Sequence, residues 1–537
     1  MITASDLHVT FGAQTVLDRV SLTIDHEIRA GLVGSNGSGK STLLQILAGN
    51  THADAGEVIH SKHSVPAYLP QRLEVAPDTT VYELADQGFS IEHALAEERT
   101  EQADILRRDP SAAQPLARVA EIDELLEHRG YFQRNAEIGR VVQGLGFAPS
   151  DTTRPLREFS GGWQMRASLA RTLLTRADIL LLDEPTNYLD SEARLWLSQF
   201  IREYNGGVVL VSHDRAFLDD SVAVILELFN GSLRRYRGTY SEYEAHRTAE
   251  LEQVKHAWRK QQEEIQRQED FIRRFRSQAS KARQVQSRVK ALEKTERIEL
   301  PQHLRPISIS LPDPPHSGEI MLTLSGLIKE YGTTRVLDEV DLTVRRGQRF
   351  AVVGLNGAGK STVLRILSGS DAATHGEVSP GTGLTIAYYA QDSADTLPPD
   401  YTVYEYVAHR ASTAALPEVR GILGAFLFDE DALEKPLSVL SGGERSRLVM
   451  AGLLVQPANL LILDEPTNHL DMTSQQVLAR ALSQYRGSVI VVSHDRYFLR
   501  AVSTDVLALW PRSFPEELRP PRAWRYYPGS YQEFEGS

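Results

Sequence analysis

One eight-residue pattern occurs twice in this chain and constrains its fold more than any other feature. Gly34-Ser35-Asn36-Gly37-Ser38-Gly39-Lys40-Ser41 fits G-x-x-x-x-G-K-[ST], and Gly354-Leu355-Asn356-Gly357-Ala358-Gly359-Lys360-Ser361 repeats it 320 residues later. With average residue usage one such pattern arises by chance in about one chain of this length in fifty, so chance does not account for two. The run Arg29–Val33 is short and apolar and reads as a buried strand, while Thr42–Leu47 reads as the first turns of a helix. Glycines let the backbone curl around a phosphate, and free N–H groups at the helix N-terminus point at the anion. The lysine reaches the outer phosphate oxygens and the Ser41 or Ser361 hydroxyl can hold Mg²⁺, with Thr42 and Thr362 next in line. Strand, loop and helix in this order predict an α/β fold.

The repeat extends well beyond the loops. Phe11 and Leu17 return as Tyr331 and Leu337, and Tyr68 and Gln71 as Tyr388 and Gln391, all offset by 320. Ser160-Gly161-Gly162 returns as Ser441-Gly442-Gly443, Asp183-Glu184 as Asp464-Glu465, and Ser212-His213-Asp214 as Ser493-His494-Asp495, all offset by 281. The first copy therefore holds an insertion of 39 residues, located roughly between Gly88 and Ala136. Ile91–Arg108 and Leu116–His128 have helical composition around a break at Asp109-Pro110-Ser111, with Leu116, Val119, Ile122, Leu125 and Leu126 on one side. This predicts an antiparallel helical pair, or a solvated excursion with no partner.

A second unrepeated stretch joins the copies. Ser241–Glu299 contains neither glycine nor proline and is rich in Glu, Lys, Arg and Gln around spaced apolar residues. It predicts a long helix folded into a hairpin, with its turn at Ser277–Ser280. Arg273, Arg274, Arg276, Lys281, Arg283, Arg288 and Lys290 fall in a window that holds no acid. Such a run is usually a solvated face. Within a chain of net charge −13 it also suits a phosphate backbone, to which arginine donates two hydrogen bonds.

The bulk numbers exclude other classes. There is no cysteine, so no disulfide, Fe–S cluster or thiolate zinc site is expected. No apolar run approaches a membrane span, and Met1–Thr10 lacks the basic start and apolar core of a signal peptide, so a soluble, intracellular product is expected. At 537 residues the chain is long enough for three or four units.

The repeated motifs carry chemistry at strand ends. Asp183 follows Ile179–Leu182 and Asp464 follows Leu460–Leu463, where a carboxylate near a phosphate loop can hold Mg²⁺ through water. Glu184 and Glu465 can take a proton from an attacking water. His213 and His494 follow a further apolar strand, at the carboxyl end where ligands sit in parallel sheets. Gln71 and Gln391 suit Mg²⁺ or water, and Phe11 and Tyr331 suit stacking on a base. Each Ser-Gly-Gly turn opens a helix and forms a second anion site.

Phosphate loop, glutamine, Ser-Gly-Gly, Asp-Glu and His, in this order and twice, resemble the ATP-binding cassette ATPases. Trp163 after the first signature, Pro-Thr-Asn after both Asp-Glu pairs, the inserted arm and the basic linker resemble the ABC-F family within them. The resemblance implies two P-loop cassette domains, each an α/β core with β and α-helical subdomains, over 1–240 (arm about 88–136) and 306–537, joined by a helical hairpin at 241–305. It implies a monomer, Mg²⁺-dependent ATP hydrolysis, and two ATPs sandwiched between the cassettes. The loop at 34–41, Gln71, Asp183, Glu184 and His213 would meet Ser441, Gly442 and Gly443. The loop at 354–361, Gln391, Asp464, Glu465 and His494 would meet Ser160, Gly161 and Gly162. It further implies a cytoplasmic protein that enters the ribosome's tRNA exit site when closed. Its linker would reach the P-site tRNA and rRNA near the peptidyl-transferase centre, as a translation factor or an antibiotic-resistance protein. No C-terminal coiled-coil extension is expected after Glu535. Two alternatives remain: the energising subunit of an exporter whose spans lie on another chain, and a DNA-repair or chromosome-organising ATPase. The first leaves the basic linker unexplained. The second lacks zinc cysteines and a long coiled coil.

Overall fold

The computed structural model describes residues 1–12, 14–35, 37–61, 66–70, 76, 78–109, 112–275, 281–293, 311–332, 334–355, 357–390, 397–468, 470, 472–511 and 522–536. Asn36, Gln71, Arg276, Asn356 and Gln391, and the expected hairpin turn at Ser277–Ser280, lie outside them.

Each half contains two sheets. In the first half β1 (Ile2–Phe11), β2 (Gln14–Ile24), β3 (Arg29–Val33), β4 (Ala55–His60), β5 (Pro66–Leu69), β6 (Ile179–Asp183), β7 (Gly207–Val211), β8 (Val224–Phe229) and β9 (Ser232–Arg237) follow in order. They form a three-stranded sheet, β2-β1-β4, and a six-stranded sheet, β5-β6-β7-β3-β8-β9. The six-stranded sheet is parallel except for β9. The second half repeats the plan with β10 (Ile320–Tyr331), β11 (Thr334–Arg345), β12 (Arg349–Gly354), β13 (His375–Pro380), β14 (Ile386–Tyr389), β15 (Leu460–Asp464), β16 (Ser488–Val492), β17 (Asp505–Leu509) and β18 (Trp524–Tyr527). Their orders are β11-β10-β13 and β14-β15-β16-β12-β17-β18.

The period-two alternation of strands explains why β6 up to Asp183, and β7, carry no other polar side chain. Leu180, Leu182, Val208 and Leu210 enter a core packed with helical residues such as Leu169, Leu173 and Leu197. Ile179, Leu181, Val209 and Val211 enter another, shared with Ile2, Leu7, Leu17 and Leu44. The central sheet is thus buried on both faces, and in such parallel sheets ligands meet the carboxyl ends of the strands.

The described residues of the two unrepeated stretches are mainly helical. Helices Ser90–Arg108 and Ala113–His128 pack antiparallel, tied by Arg99 to Asp123, by Arg118 to Glu98 at 2.7 Å and by Arg129 to Glu92 at 2.8 Å. The stripe expected on the second helix is narrower than its sequence suggests. Ile122 and Leu126 are buried, but Leu116 and Leu125 are exposed, because a single partner helix covers only one side. Between the halves, helix Tyr240–Phe275 runs for 36 residues and Ala282–Glu293 packs back on it. At 1.5 Å per residue the longer helix spans about 54 Å. Arg288 is engaged inside this hairpin, 3.9 Å over the Phe271 ring and donating to Gln268 at 2.8 Å, so it braces the pair rather than facing outward. Arg273 pairs with Asp270. Among the described residues no helix is long and apolar enough to cross a membrane.

Candidate functional site

Both phosphate loops adopt a cradle. Gly39 and Gly359 precede helices Lys40–Leu47 and Lys360–Leu367 with φ of 98° and 91°, a left-handed conformation that favours glycine. A Cβ on Gly39 would stand 2.3 Å from Val16 Cγ1. Lys40 Nζ donates to the carbonyls of Gly34 (2.9 Å) and Ser35 (3.0 Å), and Lys360 Nζ to those of Gly354 (2.9 Å) and Leu355 (3.1 Å). Each ammonium is thereby held folded under its own loop. Burial lowers the Lys360 pKa, against the opposing pull of Glu465 and Asp464.

The acidic pairs stand beside the loops. Asp183 and Asp464 are buried at the ends of β6 and β15. Glu184 and Glu465 follow with φ of 52° and 50°, a region that non-glycine residues rarely occupy and that tends to mark functional strain. Their N–H groups donate to the carbonyls of Val211 and Val492, which bring the glutamates against the neighbouring strand. Thr186 meets Ser212, and Thr467 meets Ser493, hydroxyl to hydroxyl at 2.9 Å, so the glutamate loop and the histidine loop are pinned together in both halves. His213 Nε2 lies 3.1 Å from Glu184 Oε1 and His494 Nε2 3.4 Å from Glu465 Oε1. Neither Glu184 oxygen has a hydrogen-bond partner among the described residues. Burial pushes the Glu465 carboxyl up to about 7, into the range of a base that works at neutral pH. Burial first, then the charges of Arg194 and Lys360, push His494 down to about 3.

The halves meet so that each loop faces the other half's Ser-Gly-Gly turn. A cavity of 620 Å³ is lined by Phe11, Lys40, Ser41, Thr42, Asp183, Glu184 and His213 from the first half and by Gly443 from the second. A second, of 490 Å³, is lined by Gly357, Gly359, Lys360, Ser361, Thr362, Glu465 and His494 together with Ser160 and Gly162. Gly161 and Gly442 are the first residues of the helices that these turns open. The turns differ. Ser441 is engaged in a capping box, accepting from the Glu444 N–H and donating to its carboxylate, whereas Ser160 makes no side-chain cap. In place of Glu444 stands Trp163, packed edge-on to Phe147 and under the Arg166 guanidinium.

Tyr331 sits differently from Phe11. Its hydroxyl donates to Asp371 at 2.7 Å, a contact unavailable to phenylalanine, and Lys329 lies over its ring. Ser41 and Asp183 share one cavity, so the donor set suits Mg²⁺ completed by phosphate oxygens and water. Among the described residues no cluster of three His, Asp or Glu could hold a metal by itself. Asn187, from the first Pro-Thr-Asn run, lines both cavities, as do Tyr188 and Arg194, which were not given a role at the sites above. For Arg194 a signal existed, since the repeat sets it against Gln475.

Two family models, both described as "ABC transporter", match the chain, one over residues 17–187 and 337–468 and the other over 226–309. The "Probable ATP-binding protein YheS" of Escherichia coli (strain K12) is 36% identical over 95% of this chain and 79% of its own length. "ABC transporter F family member 5" of Arabidopsis thaliana is 35% identical over 94% and 74%. Among solved structures, the complex of archaeal ribosomal stalk protein aP1 and archaeal ribosome recycling factor aABCE1 has the same fold, with TM-score 0.62 at 21% identity, covering 98% of this chain and 90% of that one.

Proposed function

Because the chain belongs to the ABC-F family and is an ATP hydrolase, we propose that each cavity takes one Mg²⁺·ATP between the two cassettes, and that the closed form binds the ribosome. In each site the loop N–H groups and the lysine hold the β- and γ-phosphates, while the Ser-Gly-Gly turn of the other cassette grips the γ-phosphate from the far side. Phe11, which lines the first cavity, would stack on the adenine there, and Tyr331 is its counterpart for the second site. Mg²⁺, when bound, offsets charge on the phosphate oxygens. Ser41 and Asp183 would hold it in one site and Ser361 and Asp464 in the other, with Gln71 and Gln391 joining. Glu184 and Glu465 take the proton of the water that attacks the γ-phosphorus as the bond to ADP breaks, and His213 and His494 orient them. Closure needs both phosphates in place, and hydrolysis releases it.

The ribosome reading is carried by the hairpin of Tyr240–Phe275 and Ala282–Glu293. A cassette pair needs no such element to hydrolyse ATP, and its cations at Arg274, Lys281, Arg283 and Lys290 suit an RNA backbone. We place the closed form at the tRNA exit site with the hairpin directed towards the P-site tRNA and the peptidyl-transferase centre, as a translation factor or a ribosome-protection resistance protein. A fold shared with an archaeal ribosome recycling factor is compatible with that setting.

The test is co-sedimentation with 70S ribosomes of the double variant Glu184→Gln, Glu465→Gln, with and without ATP. ATP-dependent pelleting is expected. It should weaken when Arg273, Arg274, Arg276, Lys281 and Arg283 are all changed to Ala. A trapped protein that stays in the supernatant at low salt would sink the ribosome reading.

A further inference from the structure

The repeat is broken at one position that matters for the sites. Residue 194 is arginine, and its counterpart 281 residues on is Gln475. Arg194 lies in the first turn of helix Ser191–Glu203. Its Nη1 donates to Asp214 Oδ2 of its own cassette at 3.0 Å and to the main-chain carbonyl of His494 in the other at 3.3 Å. The two side chains of the ion pair are largely buried, 16% and 18% exposed. Gln475 instead turns its amide nitrogen onto its own cassette, donating to the carbonyls of Thr467 and Leu470. A cation of the first cassette therefore grips the histidine loop of the second, and at position 475 the repeat supplies only a neutral amide turned inward.

We propose that Arg194 is a positioning residue for hydrolysis at the second site, acting across the cassette boundary through His494. The inference rests on reading Glu465 and His494 as the hydrolytic pair. The His494 N–H donates to Glu465 Oε2 at 3.3 Å, beside the ring contact already described. Holding the His494 carbonyl fixes the turn that carries both contacts. The tie forms only when the cassettes are docked, so the second site is completed by closure. The first site differs in its cross-boundary contact: Gln475, the counterpart of Arg194, donates within its own cassette and not to the His213 loop, while Asp214 and Asp495 keep the same helix cap, each Oδ1 accepting at 3.0 Å from the N–H of Phe217 or Phe498. The two sites should then hydrolyse ATP at unequal rates, with the second depending on Arg194.

Rapid-quench measurement of the first burst of phosphate, with excess ATP, reads each site without requiring reopening. Glu184→Gln leaves the second site to report, and Glu465→Gln the first. Adding Arg194→Gln should slow the second-site burst by about tenfold or more and the first-site burst by less than about threefold. Arg194→Lys, which keeps a cation, should restore most of the second-site rate, a recovery that a general packing defect would not give. Equal slowing of both bursts, or of neither, overturns the inference. Should Arg194→Gln not fold, Gln475→Arg decides in the opposite sense: it should speed the first-site burst relative to the second, and an unchanged ratio overturns the proposal. A Glu184→Gln, Glu465→Gln protein that still gives a burst would overturn the assignment of the hydrolytic pair itself, and the inference with it. A silent double variant with both Arg194→Gln bursts slowed alike overturns the inference alone.

Discussion

At the scale of single residues, the two anion-binding turns look the same in sequence and are held differently. Ser441 spends its hydroxyl on the first turn of its helix, where it accepts from the Glu444 N–H and donates to the Glu444 carboxylate at 2.6 Å. Ser160 has no such engagement, since Trp163 occupies the place of that glutamate and cannot return a hydrogen bond to the cap. Ser441→Ala should therefore loosen helix Gly442–Leu454 by about 1 kcal/mol, read as lost amide hydrogen-exchange protection along that helix. Ser160→Ala should leave helix Gly161–Leu174 within about 0.5 kcal/mol of the parent. Equal loss of protection in the two helices would mean that the capping box contributes nothing.

Among the elements, the arm shows how a charged pair can hold a helical hairpin with few apolar residues. Glu92 is 1% exposed and receives Arg129 Nη1 at 2.8 Å, near where the arm joins the first cassette. Arg129→Ala would leave a buried carboxylate short of a donor, at a cost of about 2 kcal/mol. If trypsin samples the opened arm, cleavage within residues 90–128 should accelerate about thirtyfold. An unchanged cleavage pattern would show that the pair is not what closes the arm. This hairpin was legible as two helices around a break, because composition and Pro110 mark both. Which side is covered was not legible: a 3.6-residue period marks a stripe, whereas the partner that covers it lies elsewhere, and so Leu116 and Leu125 stay in solvent. The phosphate loops, Asp-Glu pairs and histidines were readable because each is contiguous and ends a strand. Tyr331 was paired with Phe11 by repetition alone, and the Asp371 carboxylate that engages its hydroxyl lies 40 residues away. The Arg194 contact was visible only as a mismatch between copies, since its acceptor is 300 residues distant.

For the whole molecule, the question is what joins cassette docking to the linker. Helix Tyr240–Phe275 begins inside the contact between the halves. Glu244, in its second turn, accepts from Arg215 of the first cassette at 3.0 Å and from Gln476 of the second at 2.8 Å. The same Arg215 guanidinium lies 4.0 Å from the centre of the Tyr497 ring, two residues past Asp495. The segment after each histidine thus reaches the base of the hairpin, so docking of the cassettes and the seating of the linker share side chains. Tyr497 is 47% exposed, which puts its cation–π contact at the weak end, about 0.7 kcal/mol. Tyr497→Ala should then raise the ATP concentration for half-maximal closure about threefold. The chain has no cysteine, so dyes on cysteines introduced at Glu57 and Glu377, exposed and equivalent in the two repeats, report closure by energy transfer without further changes. Glu244→Ala removes the shared acceptor from both cassettes. It should shift that midpoint further than Tyr497→Ala, because it also leaves the largely buried Arg215 without its carboxylate. If Glu244→Ala moved the midpoint no more than Tyr497→Ala, the base of the hairpin would be a passive attachment, and ATP-driven closure would have to reach the linker by another route.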